Sequence, residues 1–144
     1  MYDTILVPTD GSAGARVALE HAIELATTYD AVIHSLFVVN PAQGSELGGD
    51  GLLQALRSEG ETVTDDAAAT VEEHGLVAET AVQTGTVHRV VLDYAGEHDA
   101  DLIVMGTHGR TGLDRYLLGS VTEKVVRLSD LPVLTVAAPD DEEN

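Results

Sequence analysis

Residues 102–126 pass from four consecutive apolar side chains, Leu102-Ile103-Val104-Met105, into Gly106-Thr107-His108-Gly109-Arg110-Thr111-Gly112. They then reach Gly119-Ser120 and the helical pattern Val121-Thr122-Glu123-Lys124-Val125-Val126. Few folds accommodate this order. A short, unbroken apolar run suits a strand covered on both faces. Glycines between a strand and a helix let the main chain curl where side chains would not fit. A buried strand must therefore lead through this loop to a helix N-terminus. That terminus leaves about four N–H groups without intrahelical partners and carries the positive end of the helix dipole. A phosphate is the natural guest of such a loop.

The rest of the chain repeats the alternation of strand and helix. Strands are expected at Thr4 to Val7, Val32 to Val39, Val77 to Thr84, Leu102 to Met105 and Val133 to Ala137. Between them fall a helix from Ser12 to Tyr29, a longer one from Gly51 to His74, and a third after Gly85 carrying Val87, Val90, Val91 and Tyr94. Asn40 to Asp50, with Pro41, Gly44, Gly48 and Gly49, is expected to be a loop. Strand three alternates with polar residues such as Glu79 and Gln83, which suits a sheet edge. This is the pattern of an α/β domain with a largely parallel sheet. At 144 residues the chain suits one domain, here 1–138, followed by an acidic tail at 139–144 that reads as disordered.

Two residues separate Gly106 from Gly109, nine separate Gly109 from Gly119, and Ser120 follows at once. This spacing resembles the ATP-binding signature of the universal stress protein family, Gly-x2-Gly-x9-Gly-(Ser/Thr), with every fixed position filled. The opening Thr4-Ile5-Leu6-Val7-Pro8-Thr9-Asp10-Gly11-Ser12 is similar to that family's first strand and aspartate turn. Ser129-Asp130-Leu131-Pro132-Val133-Leu134-Thr135-Val136 is similar to its last strand. The resemblance implies a doubly wound, five-stranded parallel open sheet of order 3-2-1-4-5, with helices on both faces. Ligands of such sheets bind beyond the carboxyl ends of the strands, where the order reverses. Asp10 and Gly106 would then face one crevice.

The resemblance implies ATP there, alone or with Mg²⁺ or Mn²⁺. Gly106, Gly109, Gly119 and Ser120 would hold the phosphates, with Val121 behind them. Asp10 would accept hydrogen bonds from ribose or adenine, although it would equally suit the start of the first helix. Val38 matches the position that meets adenine through its backbone, and Pro8, Thr9 and Met105 would wall the pocket. Ser120-Val121-Thr122-Glu123 also reads as a capping box, with Ser120 as N-cap. Arg110 is the nearest cation for phosphate charge in a chain with few bases, and His108 lies within the loop. The other histidines show no paired metal-ligand spacing.

No catalytic residue is assigned. Phosphoryl transfer needs a metal, a charge clamp and a positioned nucleophile. The chain has no Gly-x4-Gly-Lys-(Ser/Thr) loop and no second carboxylate placed to hold Mg²⁺. A regulatory ATP-binding protein of the stress response is the expected function. The alternatives are a slow ATPase or phosphotransfer enzyme, and a nucleotide-free interaction protein. An apolar fifth strand at a sheet edge invites pairing with another chain. The resemblance implies the same, a homodimer through Leu131 to Ala137.

Charge narrows the partners. Twenty-five acids against seven bases give a formal net charge of −18, with Lys124 the sole lysine. At about 1 M salt the Debye length is only ~3 Å, so self-repulsion on this scale is screened. A salt-rich cytoplasm is therefore the expected setting. Duplex nucleic acid would meet like charge. No apolar stretch approaches the ~18 residues of a membrane span, no secretory signal is evident, and with no cysteine there is no thiol chemistry.

Overall fold

Ile5, Leu6 and Val7 are all at most 1% exposed, which only a strand covered on both faces and flanked on both sides achieves. They belong to β1 (Thr4–Pro8), the central strand of a computed structural model that describes residues 2–42, 50–108 and 119–138. There follow α1 (Ala13–Tyr29), β2 (Val32–Val39), α2 (Asp50–Glu73), β3 (Ala78–Thr84) and α3 (Val87–Glu97). The chain closes with β4 (Leu102–Gly106), α4 (Ser120–Leu128) and β5 (Val133–Val136). All strand pairs are parallel, in the order β3-β2-β1-β4-β5, the order that the resemblance implied.

Alternation along the strands divides the core in two. Ile5, Val7, Ile33 and Val104 pack with Ala18, Ala22 and Ala26 of α1 and Val71 of α2. Leu6, Leu36, Ile103 and Met105 pack on the opposite face with Val91 and Tyr94 of α3 and Val125 of α4. The small alanines of α1 let that helix lie close to the sheet, which brings its first turn against the exit of β4.

Local signals account for the ends of the elements. Ser12 caps α1, its Oγ accepting from Ala15 N at 3.3 Å. Asp101 Oδ2 accepts from Asp3 N at 2.9 Å and Thr4 N at 3.0 Å, tying the start of β1 to that of β4. The boundary after β2 departs from expectation. Pro41 and Ala42, read as loop, are helical. Asn40 Oδ1 accepts from Ala42 N at 3.0 Å, and proline is well suited to a first helical position. The remainder of that expected loop, 43–49, and the expected tail lie outside the described residues. Among the described residues no helix is long and apolar enough to cross a membrane.

Candidate functional site

β1 and β4 are neighbours, with Leu6 opposite Ile103. Their carboxyl ends deliver the two turns singled out in the sequence to one place. Beyond β1, Thr9 N donates to Leu36 O at 2.9 Å, holding the exit of β1 against β2. Thr9 Oγ1 accepts from Gly11 N at 3.1 Å, and Asp10 Oδ1 accepts from Ser12 N at 3.0 Å. The aspartate thus shapes the turn while Ser12 performs the capping. Gly11 has φ 81, a conformation that favours glycine.

Beyond β4, both stems of the glycine loop are described although 109–118 are not. Gly119 N donates to Thr107 O at 2.8 Å, and Thr122 Oγ1 donates to Gly106 O at 2.8 Å. Thr107 N in turn donates to Val136 O at 3.0 Å. The N-terminus of α4 is therefore fastened directly over the end of β4. Any side chain would be tight at this junction. A Cβ on Gly119 would lie 3.2 Å from Thr107 O, and one on Gly106 would lie 3.1 Å from the carbonyl carbon of Gly14.

The capping box is a correction. Gly119, with φ −63 and ψ 161, is the N-cap of α4, and no side chain caps the helix. Ser120 is the first helical residue and is exposed. Glu123, whose N–H bonds Gly119 O at 2.9 Å, pairs instead with Arg127 at 2.9 Å. The cause lies in the two hydrogen bonds above, which dock Gly119 and Thr122 on β4 and start the helix one residue earlier. The result is a helix end whose first-turn N–H groups lack a side-chain cap, with a serine hydroxyl beside them.

The remaining expected residues separate by depth. Pro8 ends β1, half-buried. Val38 is half-buried and packs against the same core as Met105. Met105, 6% exposed, belongs to that core. His108 Nδ1 lies 3.2 Å from Thr107 Oγ1, which seats the imidazole on the loop stem beside Gly119. Val121 is half-buried behind Ser120 and packs on the α3–α4 face of the sheet. Gly109 and Arg110 lie outside the described residues. Among the described residues no group of three or more His, Cys, Asp or Glu side chains could hold a metal.

Two residues escaped the sequence reading. Gly14, in the first turn of α1, has a Cβ position only 3.0 Å from His108 O, so its lack of a side chain admits the loop stem. Its signal was a glycine in the first turn of an alanine-rich helix, costing about 1 kcal/mol relative to alanine. Thr122, 4% exposed, was absorbed into the supposed capping box.

Chemically, the arrangement offers an uncapped helix N-terminus, a loop stem held open by glycines and a half-buried aspartate turn at adjacent strand ends. That combination suits an anion linked to a polyhydroxylated or heteroaromatic group. The sequence matches the universal stress protein family over residues 1–137. A universal stress protein of Methanocaldococcus jannaschii, MJ0531, is 38% identical over 99% of this chain and 86% of its own length. The solved structure of MJ0577, from the same organism, superposes with a TM-score of 0.87 at 32% identity, over 97% of this chain and 99% of that one. A universal stress protein solved in complex with cAMP superposes with a TM-score of 0.76 at 26% identity, over 96% of this chain and 99% of that one.

Proposed function

This chain belongs to the universal stress protein family, and from that premise we propose that it is an ATP-binding regulatory protein. The phosphates would lie on the N-terminus of α4, and the nucleoside would lie over the ends of β1 and β2. The observation that carries this reading is the fastening of Gly119 to Thr107 at 2.8 Å. It holds an uncapped helix end and the exposed Ser120 hydroxyl over the carboxyl edge of the sheet. Three described features support the reading. The main-chain donors suit phosphate oxygens, the half-buried Asp10 turn suits ribose hydroxyls, and Val38 offers an apolar edge and backbone groups to adenine. The relative solved with cAMP, an adenine nucleotide, supports the same ligand class. Arg110 and Gly109, matched by the signature alone, would complete the phosphate cradle. A divalent cation would enter with the nucleotide and neutralise its charge. Binding with regulation, rather than turnover, is the proposed purpose, because no described residue is placed as a nucleophile or metal clamp.

The same proposal includes a homodimer through β5. Leu134 is 38% exposed on this edge strand, and a second copy pairing along the edge would cover it.

The experiment is to denature protein purified in molar KCl, identify released nucleotide by chromatography, and titrate ATP calorimetrically at the same salt. Because Ser120 is not the N-cap, Ser120→Ala isolates binding from folding. Its ATP affinity is expected to fall about tenfold, one charge-assisted hydrogen bond, while stability stays within about 0.5 kcal/mol. Absence of both released and titrated ATP would overturn the nucleotide reading.

A further inference from the structure

A second opening lies on the α1–α2 face of the sheet. Val7 of β1 and Ser35 of β2 floor a cavity of about 160 Å³, with Leu19 of α1 and Ala67 of α2 among its apolar walls. Its two charged lining residues, Arg16 and Asp66, are exposed and so stand at the mouth. Neither Gly106 nor any residue of α4 lines it. Thr9 and Gly11 of the turn after β1 do line it, so the cavity adjoins the nucleoside end of the proposed nucleotide site and lies away from its phosphate end.

Three features mark it as more than a packing gap. Ser35 is 1% exposed, on a strand whose other buried residues are apolar. Among the described residues its hydroxyl has no hydrogen-bond partner, yet it is not sealed off and opens into the cavity. Alanine or valine would serve the sheet equally well there, and the hydroxyl is available to a molecule in the cavity. Arg16 and Asp66 form no ion pair with each other among the described residues, so opposite charges face the mouth separately. Arg16 is also held in place, its Nη1 donating to Gly11 O at 3.0 Å, which leaves further N–H donors for a guest.

We propose that this cavity binds a small zwitterion of free-amino-acid size. Arg16 would take its carboxylate and Asp66 its ammonium group, and the Ser35 hydroxyl would bond a polar group at its inner end. Size limits the guest, since an engineered cavity of roughly 150 Å³ takes a benzene-sized molecule. Charge limits it further. One guanidinium opposed by one carboxylate disfavours a phosphate and suits a molecule carrying both signs. Water occupies such a polar space in the absence of a guest, and the guest must replace its hydrogen bonds.

Calorimetric titration of the full chain with L-glutamine and L-threonine, against L-leucine, tests this. The polar amino acids are expected to bind saturably at one site per chain, with L-leucine about fivefold weaker for want of the Ser35 hydrogen bond. Ser35→Ala is expected to remove that difference. Arg16→Gln and Asp66→Asn, at exposed positions, are expected to fold normally and to weaken binding about tenfold each. No saturable binding of either polar amino acid, or rim variants that bind like the wild type, would overturn the proposal. Equal affinity for L-leucine would overturn the role of Ser35. Because Thr9 and Gly11 are shared with the turn after β1, the titrations use nucleotide-free protein, which keeps these outcomes independent of whether ATP binds.

Discussion

Gly14 shows how far one missing side chain reaches. On helix propensity alone, Gly14→Ala should stabilise α1 by about 1 kcal/mol. The added Cβ would, however, stand 3.0 Å from His108 O, a backbone atom that moves only with the β4 exit. The expected outcome is that calorimetric unfolding shows none of the propensity gain and that ATP affinity falls about tenfold. A variant that melts higher and binds ATP like the wild type would refute the contact's role. The sequence announced Gly106 and Gly119 because glycines after an apolar strand have one obvious reading. Gly14 was silent because a helix glycine reads only as a weak helix former, and its reason lies 94 positions away at His108. Ser120 was misread on the same ground. Its local pattern was a capping box, and the competing force was tertiary, the hydrogen bond from Gly119 N to Thr107 O.

Elements were more legible than their contacts. β1 and β4 were plain as strands because burial on both faces leaves no room for polar alternation. β3 was plain as an edge because the polar residues Glu79 and Gln83 interrupt its apolar run, and Glu79 is indeed exposed. The strand order itself followed from the family resemblance, since periodicity fixes which faces are covered and leaves open which strands adjoin. What the sequence concealed was how α4 attaches. The Thr122–Gly106 bond and the Thr107–Val136 bond join α4, β4 and β5 into one unit. A partner on β5 would therefore rest on the same unit that carries the stems of the glycine loop. Leu134→Lys tests that edge. Leu134 is already 38% exposed, so a lysine there is expected to cost the protomer under about 1 kcal/mol. It would place a charge on the strand edge, a device that blocks edge pairing. Light scattering at high salt is expected to show a dimer for the wild type and a monomer for the variant. A wild-type monomer would end the dimer proposal.

At the scale of the molecule, charge and pH oppose each other, and salt decides which is seen. With a formal charge of −18, protonating all six histidines would bring the total to −18 + 6 = −12. In dilute buffer, mild acidification should therefore relieve self-repulsion. One group works the other way. His34 on β2 bonds the Tyr94 hydroxyl through Nδ1 at 2.7 Å, and His98 stacks on Tyr94 with centroids 3.8 Å apart. Desolvation by burial, then the neighbouring His98, lower the pKa of His34 below 6.5, and Glu79 of β3 offsets this in part. Burial, then Glu79, raise that of Tyr94, keeping the phenol protonated. In the window between the lowered folded value and 6.5, the unfolded chain binds more protons at this position. Stability contributed there rises with pH and is lost as pH falls below 6.5. In molar KCl repulsion is screened, and the His34 effect should emerge. The melting temperature is expected to fall from pH 7.5 to 5.5, with His34→Gln flattening the slope. In dilute buffer the same acidification is expected to raise it, and circular dichroism against KCl at pH 7.5 is expected to show folding that depends on salt. Full folding without added salt would refute the expectation of a salt-rich setting. An unchanged slope in the His34 variant would move the acid sensitivity to another group.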